Sequence, residues 1–60
     1  MDITPNKLKE IRESAGYTQQ EMAHALGYES RGAICFLEQG RRKITPRLQK
    51  LIKALFHKHI

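Results

Sequence analysis

Residues 25–40 read ALGYESRGAICFLEQG, two helical fragments separated by a break at Gly27-Tyr28-Glu29-Ser30. The second fragment spans about nine residues, a length at which an isolated helix is marginal in water. It opens on Arg31-Gly32, offers Ile34 and Leu37 as an inward face, and ends at Gly40. So thin an apolar stripe holds only when neighbouring elements bury it, and the flanking sequence decides what the fragment is for.

Upstream, Thr18 precedes an apolar set of Met22, Ala23 and Leu26, and Glu21 three residues after Thr18 completes a Thr-x-x-Glu capping box. Gly27 ends that helix. Before it, a first helix starts near Pro5, a residue suited to a first turn because it has no N–H to lose, and carries Leu8, Ile11 and Ala15 at helical spacing until Gly16 stops it. Downstream, Thr45 caps and Pro46 opens a fourth helix with Leu48, Leu51, Ile52, Leu55 and Phe56 at i, i+3, i+4, i+7 and i+8, the strongest periodic signal in the chain. Nothing alternates like a strand, and no repeat, low-complexity segment or linker interrupts the pattern. Four short amphipathic helices, each too narrow to stand alone, predict one all-α domain over residues 1–60, a compact bundle sharing a single core.

Sixty residues allow one small core, and 40% apolar residues with no tryptophan make it aliphatic. The single cysteine excludes an internal disulfide and a paired-cysteine metal site, and suits a reducing cytoplasm. The N-terminal MDITPN lacks a basic region followed by an apolar run, and no stretch is long and apolar enough to span a bilayer, so a soluble cytoplasmic protein is expected, with no membrane partner. Charge is distributed unevenly. Residues 1–39 hold four basic and six acidic side chains, whereas residues 40–60 hold seven basic and none acidic. One positive end points to a polyanion such as nucleic acid, although such an end also serves as a solubilising face.

In order and spacing, Gly16-x-Thr18-Gln19, Glu21-Met22-Ala23, Leu26-Gly27 and Ile34-x-x-Leu37-Glu38-x-Gly40 followed by basic residues resemble the helix-turn-helix of the lambdoid phage repressor, Cro and Xre-like DNA-binding family. The resemblance runs from about Leu8 to Leu55, with the motif over about 18–39. It implies a lambda-repressor-like domain of four to five helices, a homodimer on a palindromic operator, and a transcriptional regulator, a repressor or autorepressor of a phage or mobile element. In this class the second helix of the motif lies in the major groove of duplex DNA while the first crosses the backbone.

Position by position, the resemblance makes Ser30, Arg31, Gly32 and Phe36 base-reading residues and Gln19, Arg41, Arg42 and Lys43 phosphate contacts. Arginine at the mouth of such a helix donates two hydrogen bonds to guanine, and otherwise serves a phosphate. Phe36 meets a thymine methyl group or belongs to a core or dimer contact. Gly32 reads nothing itself, and its helix-propensity cost suggests a place where DNA approaches closely. Arg12 and Glu38 match positions that form an internal ion pair. The stretch from Gly27 to Ile34 is one residue longer than the family's shortest turns: counting back from Gly40 puts Ser30 at the cap, and counting forward from Gly27 puts Glu29 there.

Ile52, Leu55, Phe56 and Ile60 form a terminal apolar group larger than a short helix needs, and so are the expected dimer interface, with a dimer formed only on DNA as the rival arrangement. The histidines show no metal-ligand spacing, no nucleophile has a sequence-supported base, and Cys35 reads as a small packing residue, so neither catalysis nor a cofactor is expected. The alternative function is an antitoxin or adaptor that uses the same fold to hold a protein partner such as a toxin.

Overall fold

Threonines start three of the four helices by supplying the oxygen that a first helical turn lacks. In the computed structural model, which describes residues 2–60, the elements are α1 (Pro5–Ser14), α2 (Gln19–Ala25), α3 (Arg31–Gln39), α4 (Pro46–Phe56) and a closing 3-10 turn, His57–His59. No strand occurs among the described residues. The all-α architecture expected from the sequence is the architecture found, with the 3-10 turn as a short fifth element. Thr4 Oγ1 accepts from Lys7 N and Thr45 Oγ1 from Leu48 N, each at 3.1 Å, and a proline follows each cap. Thr18 Oγ1 accepts from Glu21 N at 3.1 Å while Glu21 Oε1 accepts from Thr18 N at 2.9 Å, a complete capping box.

The turn between α2 and α3 depends on Gly27, whose φ of 85° lies where a side chain is strained. This left-handed residue lets Tyr28 N donate to Ala23 O at 2.8 Å and Gly27 N to His24 O at 3.2 Å, closing α2 and reversing the chain within a few residues. Ser30 then takes the extended cap conformation and α3 starts at Arg31, which fixes the register that the sequence left open.

Leu8 and Ile11 of α1, Met22 and Ala23 of α2, and Ile34 and Leu37 of α3 are fully buried together, so the two inward residues of α3 suffice to anchor it. Ile52 of α4 completes this centre, and the Phe56 ring meets Tyr17 edge-on, centroids 5.2 Å apart. Gln49 holds the periphery: its Oε1 accepts from Ile3 N at 3.1 Å and its Nε2 donates to the Ile44 carbonyl at 3.4 Å. At the other end Ser14 Oγ and His59 Nδ1 share a hydrogen bond of 3.2 Å, seating the 3-10 turn against α1.

The apolar stripe of α4 divides in a way its periodicity did not reveal. Leu48, Ile52 and Phe56 face the core, while Leu51 and Leu55 are 40% and 50% exposed. Ile52 and Phe56, expected to face a second copy, are therefore occupied within the chain, and only Leu55 and Ile60 of that group stay exposed. The first three helices supply five of the six largest fully buried side chains, so the core takes only one i, i+4, i+8 row from α4.

Ile52→Ala is expected to cost about 2–4 kcal/mol in chemical denaturation, and Leu55→Ser to stay within about 0.5 kcal/mol. A domain this small holds only about 3–5 kcal/mol, so Ile52→Ala should leave a measurable unfolded fraction in water. Equal costs for the two would contradict this division of α4.

Candidate nucleic-acid interface

Burial of Ile34 and Leu37 turns the opposite side of α3 outward. Arg31 is exposed at its start, Gly32 and Cys35 are half-buried, and Phe36 is 46% exposed one turn on. Gln39 extends this face, its Nε2 donating to Cys35 Sγ at 3.2 Å; the sequence reading passed over it, although its i+4 spacing from Cys35 was a usable signal. A β-carbon at Gly32 would meet only Ser30 Oγ at 3.5 Å, ordinary contact distance. The fold itself therefore does not require glycine there. Ser30 is exposed and its hydroxyl makes no capping bond to α3.

The back of α3 is fastened by one carboxylate. Arg12 Nε donates to Glu38 Oε2 at 2.7 Å and the second guanidinium arm to Oε1 at 3.4 Å, while Gln19 Nε2 reaches the same Oε1 at 3.3 Å. The remaining arm, Arg12 Nη1, donates to the Tyr17 carbonyl at 2.9 Å. With side chains 12% and 7% exposed, the Arg12–Glu38 pair is largely shielded from water, and each guanidinium nitrogen and each carboxylate oxygen in it has a partner. Gln19 spends one amide N–H on Glu38, which orients the other at the N-terminus of α2.

Arg41, Arg42 and Lys43 follow α3 as an exposed loop. The chain enters it through Gly40, whose φ of 78° allows Arg41 N to donate to the Phe36 carbonyl at 2.9 Å. Arg42 then folds back so that its guanidinium lies 5.1 Å from the centroid of the Tyr28 ring, a cation–π contact. The turn before α3 and the loop after it thus touch, which brings the cationic loop beside the turn that leads into the helix. Among the described residues the ion pairs are Lys7–Glu10 and Arg12–Glu38, so Arg31, Arg41, Arg42 and Lys43 have no carboxylate partner. Such a surface offers donors to phosphate oxygens around a helix whose outer side chains are free to reach into a groove.

A family model described as helix-turn-helix matches residues 8–56, from the first buried leucine of α1 to the last residue of α4. No curated protein matches the chain, and no solved structure does.

A double-mutant cycle on Arg12 and Glu38 is expected to show coupling. Each alanine substitution strands a shielded charge and should cost about 1.5–3 kcal/mol, whereas the double variant should cost less than the two together by about 1 kcal/mol or more. Additive losses in thermal unfolding would deny the pair an energetic role.

Proposed function

We propose, because the chain belongs to the helix-turn-helix family of Cro/C1-type, Xre-like DNA-binding regulators, that it is a sequence-specific repressor that inserts α3 into the major groove. The observation that carries this reading is the Arg31 guanidinium, exposed at the mouth of a helix locked from behind and without an acidic partner among the described residues. Arg31 donates to guanine O6 and N7, and Phe36 packs on a thymine methyl group. The Ser30 hydroxyl, free of any capping bond, reaches a base edge beside Arg31, while Gln19 and the Arg41–Arg42–Lys43 loop hold phosphates and set the depth of insertion. Gly32 leaves room at the point of closest approach. Occupying an operator represses by exclusion and asks no chemistry beyond binding.

One such helix contacts few base pairs, so specificity calls for two copies on a two-fold site with half-sites about 34–36 Å apart. The exposed apolar remnant of the expected interface, Leu55 and Ile60, is small and lies in the segment with seven basic residues and no acidic one. Like charges oppose pairing in free solution, and phosphates relieve that repulsion on DNA. The homodimer accordingly assembles on the operator.

Selection of bound duplexes from a randomised pool gives the operator, and variants then divide the roles. Arg31→Ala should lose about 1–3 kcal/mol of discrimination against the wrong base. Arg42→Ala should weaken all sequences alike and lower the salt slope by about one. Sedimentation should show monomers alone and two copies per palindrome. Intact preference in Arg31→Ala would remove it from base reading, and a single copy on a palindrome would remove the dimer.

Gly32→Ala separates fold from function. It should stabilise the domain by about 0.5–1 kcal/mol, since the backbone there is helical and uncrowded, yet lower operator affinity. Unchanged affinity would mean that DNA keeps its distance from this residue.

A further inference from the structure

One of the two leucines of α4 that the core rejects, Leu51, lines an open concavity in the surface. Leu51 joins Leu26, Tyr28 and Leu48 as the floor of an open groove of about 650 Å³ between α4 and the end of α2, with Arg47 and Lys50 on its rim. Leu55, half exposed, continues the apolar line four residues and about 6 Å further along the helix. No step of DNA reading uses this line. A floor of leucine and tyrosine leaves water in poor contact, and a DNA backbone has no projecting apolar side chain to fill it.

From these features we infer that the groove receives an acidic amphipathic helix of another protein. Apolar residues at i and i+4 of such a helix match Leu51 and Leu55 in spacing, and its flanking carboxylates meet Arg47 and Lys50, as in helix-in-groove recognition. Arg47 and Lys50 make no ion pair among the described residues, and residues 40–60 contain no acidic side chain to neutralise them. A second copy docking by two-fold symmetry would bring the same cations against each other, so the charge pattern selects a partner of opposite sign. The partner could then recruit or displace the protein at DNA without occupying α3.

The test uses the full chain, without DNA, and a labelled synthetic peptide carrying leucines at i, i+4 and i+7 with glutamates on both flanks; a scrambled peptide of equal composition serves as control. The striped peptide should bind at least about tenfold more tightly than the scrambled one. Leu51→Ser, at a partly exposed position outside the DNA-contacting surface, should erase that difference while retaining operator binding, which reports that the variant is folded. Arg47→Glu combined with Lys50→Glu should weaken the striped peptide and favour a lysine-flanked version. Equal binding of striped and scrambled peptides, or full affinity in Leu51→Ser, would overturn the proposal, because only diffuse charge attraction would then remain. A DNA-free dimer that Leu51→Ser converts to monomer would also overturn it, by making a second copy the occupant. Because DNA is absent from the peptide measurement, its failure leaves the repressor reading standing, and the reverse holds equally.

Discussion

The carboxylate of Glu38 is the point at which three helices are tied. It takes two guanidinium N–H groups from α1 and one amide N–H from α2 while standing on α3, and the third arm of the same arginine closes the chain between α1 and α2 at the Tyr17 carbonyl. Ile34 and Leu37 give α3 its burial but leave rotation about its axis weakly determined, since apolar contact is not directional. The bidentate fork supplies the direction. A helix of nine residues, with no side-chain cap at its start, thereby becomes rigid enough to present its outer face at a fixed angle.

That arrangement also explains why the surface charge can be so lopsided. The Glu38 carboxylate at the back of α3 is consumed internally, and the one acidic side chain in the turn before the helix, Glu29, makes no ion pair with the cations around its front among the described residues. Arg42, drawn onto Tyr28, stays beside the turn that precedes the helix even though it lies beyond the helix end in sequence. The cationic loop is thus fixed at the side of the exposed face by an aromatic ring, with the apolar body of that ring packed against the core.

The fourth helix carries more large apolar side chains than the core of a 60-residue chain takes up. One row of α4 closes the core, and a second row, Leu51 and Leu55, is left at the surface. A sixty-residue domain exposes a large share of its area, so some apolar surface is unavoidable; an exposed leucine lining a concavity with a cationic rim, and a second one helical turn on, are more than scattered exposure requires.

The sequence by itself determined the helices and their ends, because caps, prolines and glycines act within a few residues: Thr18 with Glu21, Thr45 with Pro46, and Gly27 are local chemistry. Thr4 with Pro5 repeats the Thr45-Pro46 pattern and was legible on the same terms. The family was also legible, since its motif is a spacing of small and apolar residues along one stretch of chain. Only the tertiary structure decided which leucines of α4 are inside, because a 3.6-residue period gives an arc of candidates and the neighbours choose among them. It placed Ile52 and Phe56 in the core and left Leu51 outside, where no pattern distinguished them. It started α3 at Arg31, a choice between two caps that depends on where Ile34 finds its pocket. Contacts such as Gln19 with Glu38, Arg42 with Tyr28 and Gln49 with Ile3 join residues 14 to 46 positions apart, a separation at which a single sequence carries no signal until packing brings the partners together.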